Sequence, residues 1–427
     1  MSTSTSTPAS PTTAPTATAG VGRARRNRLL LLVGLGLLAL SITRVVSGED
    51  VLTASGTINA MVWLTLPVAL AGLGGLISER AGVVNIGLEG MMMLGVWGAG
   101  FAGWRWGPVA ALVAALVGGA LGGLLHALAT VTFGVDHIVS GVAINLLAAG
   151  TVRFLSELTF TASTGGGPTQ SPPISGKIPT FDIPVLASGP DLLGRVEGTG
   201  LPVLADLAGI ARGLLVGITP FEILGLAMFP LTAYLLWRTA LGLRLRSAGE
   251  NPWAAESLGV NVMRVKYLAV VWGGALAGLG GLFLVMFTGS YREGMTNGRG
   301  YIGLAAMIFG NWRPGGLAAG ATLFGYADAV RLRSQNSLAV LALFIFAGLV
   351  VIALGALWLR RGRRLPGAVF IGIGVTFLLG YVGLDSLPNE VTTLTPYIVT
   401  LVVLTVSSQN LRMPKADGLV YRKGEGH

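Results

Sequence analysis

Long apolar runs, separated by short polar or basic segments, organise this chain. A bilayer core takes roughly 20 apolar helical residues to cross. Runs of that kind lie near 29–46, 58–77, 86–104, 107–133, 137–156, 219–237, 267–287, 315–332, 338–358, 366–386 and 394–411. A further apolar stretch at 300–312 is too short to cross comfortably. It reads as a half-helix buried in protein, because broken backbone at membrane depth survives only where protein or water surrounds it. Counted as a crossing, it brings the expected total to about 12 membrane helices. The pattern therefore predicts an all-α polytopic membrane protein with both termini on one side.

Charge fixes which side. Ser78-Glu79-Arg80, Arg238 to Lys266, Asn311 to Pro314, Arg360 to Arg364 and the tail from Arg412 all fall on the same side in this scheme. A Lys/Arg excess marks that side as cytoplasmic. The segment from Glu157 to Pro220 falls outside, with five acids (Glu157, Asp182, Asp191, Glu197, Asp206) against three bases (Lys177, Arg195, Arg212). Residues 1–22 are Ser, Thr, Pro and Ala without hydrophobic period, and read as disordered. Arg23, Arg25, Arg26 and Arg28 precede the first run, which reads as an uncleaved first span.

Composition agrees. Only 11% of the 427 residues are charged and 52% are hydrophobic, whereas a soluble domain carries roughly 25% charged residues. The net charge of +10 is spent flanking the apolar runs, so a nucleic-acid partner is not expected. Cys is absent and the three His are scattered, which removes disulfides and metal-ligand spacing; no cofactor is expected. No GxxxxGK[ST] sequence occurs, so the chain should not bind ATP through a P-loop. No triad or carboxylate pair points to an enzyme.

The chain also repeats itself. ALAGLGGL stands at Ala69–Leu76 and again at Ala275–Leu282, followed by Ile86-Gly87-Leu88 and Ile302-Gly303-Leu304. The copies run in opposite directions through the expected bilayer, as in the inverted repeats of transporters. Each also carries a small-xxx-small pair, Ala71/Gly75 and Ala277/Gly281, which serves helix packing by itself.

Two polar groups of residues invite functional readings. Between two spans, Gly242–Val265 reads GLRLRSAGENPWAAESLGVNVMRV. Asn251 is a good N-cap, Pro252 suits the first helical position and Gly259 a helix stop. A capped helix over Pro252–Leu258 with small Ala254 and Ala255 reads as a docking element, with Ala255 expected against the partner; an ordinary interfacial loop helix fits the same residues. The second group is Asn85 and Glu89. Four residues apart, they share a face if both are helical, and an acid inside an apolar run should avoid lipid. They are candidate pathway residues, with Asn145 as a polar partner. A helix-start charge explains Glu89 equally well.

The loop Gly242–Val265 resembles the cytoplasmic coupling loop of ABC importer permeases of the ribose and branched-chain amino acid type, with Val260 where Ile is common. Ser78–Gly90, Glu293–Gly300, Phe309–Pro314, Pro396-Tyr397 and Pro414 resemble the nucleoside branch of that family. The likeness covers about 55–335 and 390–423. It implies a permease in a bacterial plasma membrane that imports nucleosides by alternating access. It further implies an ABC ATPase as partner, a second, related permease forming a heterodimer, and an extracytoplasmic substrate-binding lipoprotein. Arg246, Gly249, Glu250, Asn251, Pro252, Ala254, Ala255 and Gly259 become the residues expected at the ATPase. Simple sugars such as ribose on the same scaffold, or an ion-coupled carrier using Glu89, Glu222 or Asp328, remain alternatives. The expected organisation is a basic tail (1–28), a core (29–335) with outer loop 157–217 and coupling loop 238–266, an added helix pair (336–390) in a ten-span pattern, and a last span with tail (391–427).

Overall fold

A computed structural model describes residues 34–334, 338–388, 390–397 and 411–424. The described residues are helical, with isolated β-bridges and no strand. In chain order the helices are α1 (Gly34–Ser47), α2 (Ser55–Arg80), α3 (Leu88–Trp106), α4 (Pro108–Ala127, running into a π turn at Leu128–Thr132), α5 (His137–Phe160), α6 (Leu192–Glu197), α7 (Leu204–Gly213), α8 (Pro220–Arg238), α9 (Ala240–Glu250), α10 (Pro252–Ser257), α11 (Val262–Thr288), α12 (Arg299–Phe309), α13 (Pro314–Arg333), α14 (Leu338–Arg360) and α15 (Arg364–Gly383). Seven of them are long and apolar enough to cross a membrane, with α1 and α12 as shorter apolar helices. The chain is a multi-pass α-helical membrane protein. The expected basic tail at 1–28 and most of the last span at 394–411 lie outside the described residues.

The centre of the bundle is α2 against α11, the two helices that carry the repeated octapeptide. They pack antiparallel, because Pro67 meets Gly280 at one end of the contact and Gly74 meets Gly273 at the other. A Cβ on Gly74 would collide with the carbonyl oxygen of Gly273, and one on Gly280 would sit 2.8 Å from the oxygen of Pro67. Real Cβ contacts essentially never fall under 3.0 Å. Glycine here is a packing requirement, since lipid supplies no hydrophobic drive and close approach supplies dispersion instead. A second glycine face of α11 receives α4: Gly278 abuts Ala115, Gly274 abuts Gly119, and Gly123 abuts Val270.

The ends of the helices sort the charged segments. Arg80, the α9–α10 loop, the turn after α12 and the tail at 411–424 touch one another at one end. Arg80 Nη2 donates to Trp312 O at 2.8 Å, Ala416 N–H to Gly249 O at 2.9 Å, and Arg412 N–H to Asn311 Oδ1 at 2.7 Å. The segment between α5 and α8 covers the opposite end. There Arg212 pairs with Asp191 at 2.7 Å and with Glu197 at 3.5 Å, and the backbone N–H of Ser55 donates to Glu197 Oε1. Arg44 meets Asp206 at 2.7 Å, and Thr53 donates to the same carboxylate. Glu197 and Asp206 thus fasten this segment to α1 and α2. The pair α14–α15 packs on itself through Gly348/Gly374 and Gly355/Gly367. Ala339 and Ala342 of α14 join Leu52 and Val330 at the edge of the core.

The glycine contacts make a direct prediction. Gly278→Leu should cost at least about 1–3 kcal/mol by overpacking and lower the melting temperature of the purified protein in detergent. Gly372→Leu, where a Cβ meets nothing within 4 Å, should leave it unchanged.

Candidate coupling and translocation site

Two crossings are broken, one after each copy of the repeated octapeptide. After α2 the chain turns at Gly82 (φ +80°), re-enters as non-helical backbone over 83–87, and becomes helical again at Leu88. After α11 it runs non-helically from Gly289 to Gly298, then forms α12. The N-termini of α3 and α12 meet: a Cβ on Gly300 would lie 2.6 Å from the Cα and N of Glu89. Glu89 fills the junction. Its Oε1 accepts the Gly298 N–H at 2.9 Å and its Oε2 the Gly300 N–H at 2.7 Å. It also sits in the first turn of α3. One buried carboxylate, 2% exposed, therefore lies at the positive ends of two helices and satisfies two of the orphan N–H groups of α12.

Asn145 of α5 ties the same junction. Its Oδ1 accepts the Gly90 N–H at 2.7 Å, and its Nδ2 donates to Ile86 O at 3.1 Å and Tyr301 Oη at 2.8 Å. Asn85 is fully buried, with Nδ2 3.4 Å from Ser78 Oγ and 3.6 Å from Met91 Sδ. The helical spacing expected for Asn85 and Glu89 does not exist, because α3 starts after Asn85. Two histidines hold that irregular backbone: His126 Nε2 lies 3.0 Å from Val84 O, and the Val84 N–H donates to His137 Nδ1 at 3.2 Å. Glu79 Oε2 accepts the Trp312 indole N–H at 2.6 Å, closing the end of the second broken crossing onto α2. Asn85, Glu89 and Asn145 are all enclosed, and the residue of this junction that reaches the surface is Tyr301, 45% exposed.

α5 packs along one stripe only, through His137, Ser140, Gly141, Ile144, Asn145, Ala148 and Val152. Its other face is uncovered and carries charge. Arg153 Nε meets Glu157 Oε1 at 2.9 Å, and Arg153 Nη1 meets Glu293 Oε2 at 2.5 Å. Beside this trio a cavity of about 200 Å³ opens between α3, α5 and the non-helical stretch before α12. Met93, Val96 and Val152 line it on one side, and Arg292, Glu293 and Thr296 on the other.

At the basic end, Asn251 Oδ1 accepts the Ala254 N–H at 3.0 Å, Pro252 opens α10, and Gly259 takes φ +84° after its end. Gly249 presses on the end of α2, where a Cβ would collide with Arg80 O. Arg246 Nε donates to Leu236 O at 2.9 Å, and Glu250 is exposed. Pro252 and Ala255 face inward; Ala255 is 2% exposed. The outward face is Ala254, Ser257 and Leu258, and Leu258 is 85% exposed. Three residues after buried Pro252, Ala255 lies on the helix's inner face.

Residues 57–354 match the family described as branched-chain amino acid transport system / permease component. The chain belongs to this family. It is 31% identical to the guanosine ABC transporter permease protein NupQ of Bacillus subtilis over 84% of this chain and 94% of NupQ. It is also 31% identical to the nucleoside ABC transporter permease protein NupC of Lactococcus lactis, over 86% of this chain and 96% of that one. A putative glucose ABC transporter permease, TsgC13 of Haloferax volcanii, is 35% identical over 66% of this chain and 79% of its own length. No solved structure matches.

Of the permease residues picked out from sequence, Glu89 and Asn145 converge at the helix junction. Asn251, Pro252 and Gly259 shape α10. The residues missed were those whose role depends on distant chain: Gly298 and Gly300 as donors, Tyr301 as the exposed edge, and His126 and His137 as the clamp on Val84. Gly87 caps α3 whereas its match Gly303 lies inside α12, and nothing local pairs Glu89 with Gly300. Among the described residues of the permease, no group of three His, Cys, Asp or Glu is placed to hold a metal.

Glu89→Gln tests the junction. Gln offers one carbonyl oxygen for two N–H donors and no charge, so one buried donor is left over, at about 1–3 kcal/mol. The purified permease should melt at a lower temperature than wild type. An unchanged melting temperature would return Glu89 to a solute-facing role.

Proposed function

We propose that the chain is a transmembrane subunit of an ATP-driven importer that moves nucleosides inward, ATP being hydrolysed on a separate subunit. One observation carries this reading: similarity over more than four-fifths of the chain to permeases named for guanosine and for nucleosides in two organisms. The sugar reading draws on a higher identity over a shorter stretch. The ion-coupled reading needs a free carboxylate in the bundle. Each candidate is engaged: Glu89 by two backbone N–H groups, Glu222 by Thr219 in the cap of α8, and Asp328 by Arg299 at 2.7 Å and Arg331 at 2.9 Å.

We infer that the basic end faces the cytoplasm, that the chain crosses 12 times, and that the α2-to-α3 and α11-to-α12 stretches form an inverted repeat. α10 docks in a groove of the ATPase through Ala254, Ser257 and Leu258, with Arg246, Gly249, Glu250, Asn251, Pro252, Ala255 and Gly259 fixing its pose. The pathway runs along the uncovered face of α5, past the Arg153–Glu293 pair and Tyr301, because charges inside a span avoid lipid. Asn85, Glu89 and Asn145 back this wall from within. A second, related permease closes the pathway from the other side, and a binding lipoprotein delivers solute to the opposite end.

Two measurements follow. Cells expressing the assembled importer should take up labelled guanosine or adenosine, and excess unlabelled nucleoside should compete while glucose and ribose should not. Competition by a free sugar alone would favour the sugar reading. Leu258→Asp should leave membrane insertion intact and remove the ATPase from the purified complex. Full copurification with normal uptake would take α10 out of the interface.

A further inference from the structure

The tail at 411–424 runs across the basic end and touches both broken crossings and the α9–α10 loop. Arg412 N–H donates to Asn311 in the turn after α12. Ala416 N–H donates to Gly249 O at 2.9 Å, and the carbonyl of Ala416 lies over Gly82, in the turn after α2. Tyr421 is buried, with its ring centroid 6.2 Å from that of Trp253 in α10 and 5.9 Å from Lys266 Nζ in α11. Both carboxyl oxygens of Asp417 are buried.

We propose that this tail is the element that fixes α10 to the α2–α11 pair, with Tyr421 and Asp417 as its positioning residues. The proposal rests on the reading of α10 as the ATPase contact. α10 has six residues and buries only Pro252 and Ala255 among them. It is flanked by Asn251 in extended backbone and by Gly259 at φ +84°. A helix so short, with so small a buried face, would rock on its own hinges when pushed. Trp253 against Tyr421 gives it a second attachment, and Tyr421 in turn rests on Lys266 of α11. The Asp417 carboxyl faces Glu79 and Arg80 of α2 and Lys266 of α11. Burial pushes it up to about 7, although Lys266 and Arg80 pull the other way. A raised carboxyl favours the docked tail most at acid pH. That contribution is full below the ordinary aspartate value of 3.8 and is lost as the pH rises through about 7.

The test uses the whole complex, with ATPase and binding protein, in lipid nanodiscs. Tyr421→Ala should keep the ATPase bound and basal hydrolysis intact. Solute-stimulated hydrolysis should fall at least about fivefold, the low end of typical coupling between sites. Tyr421→Phe, which keeps the ring, should restore it. Wild-type stimulation should be weaker at pH 8 than at pH 6, and Asp417→Asn should flatten that difference. If Tyr421→Ala does not fold, a protease site inserted at exposed Met413 and cut after assembly releases the tail from a folded complex; stimulated hydrolysis should then fall alone. Undiminished stimulation after cutting and washing, or a fall in Tyr421→Ala that Phe does not rescue, overturns the proposal. A wild-type complex that never retains an ATPase sinks the coupling reading itself, which is a separate result.

Discussion

Backbone-to-backbone contact between α2 and α11 is the constraint from which the rest of the bundle follows. Gly74 against Gly273 and Gly280 against Pro67 bring two helices closer than any side chain allows. That proximity leaves no room between them for solute or water. It also exhausts one face of each helix, so the remaining faces must receive α4 and α3 on one side and α12 and α13 on the other. Gly303 of α12 accordingly sits within Cβ-excluding distance of Val68 O on α2.

The broken crossings are the second consequence. Interrupting a helix in a membrane exposes N–H groups that water cannot reach, each worth several kcal/mol if left alone. The structure meets this cost with side chains from elsewhere in the chain. Val84 is held on both sides by His126 and His137. Gly298 and Gly300 are held by Glu89, and Gly90 by Asn145. One carboxylate suffices because the two helix starts are brought together.

The fold was legible where the signal is local. Apolar length located the helices, the Asn251-Pro252 cap located α10, and the shortness of the 300–312 stretch marked a half-helix. Lys and Arg placement sorted segments that the structure then gathers at one end. What the sequence hid is register and distance. The four-residue spacing of Asn85 and Glu89 looked helical, yet a turn at Gly82 and the histidine clamp keep 83–87 non-helical. Ala255 looked like a contact residue because it is small, yet its smallness serves packing against the permease itself, and the exposed position belongs to Leu258. Glu222 looked available to an ion and is the cap of its own helix. Glu89 and Glu222, chosen for their chemistry, were already engaged by backbone N–H groups.

The same logic motivates the proposed pathway. Polar atoms consumed by the backbone are unavailable to a passing molecule, so the pathway must be sought where polar groups remain at the surface of a span. Only one stripe of α5 is covered. On its free face Arg153 is paired with Glu157 and Glu293 in place, and Tyr301 lies half exposed beside the buried Asn145. A paired charge presents a dipole and little net field, which suits an uncharged solute with donors and acceptors better than an ion. Methionine and valine on one wall of the adjoining cavity and backbone with Glu293 and Thr296 on the other repeat that duality. A nucleoside has the same two faces, a flat base and a hydroxylated sugar. On the proposed pathway along α5 it would pass Tyr301, the exposed edge of the helix junction that Asn145 and Glu89 hold from behind.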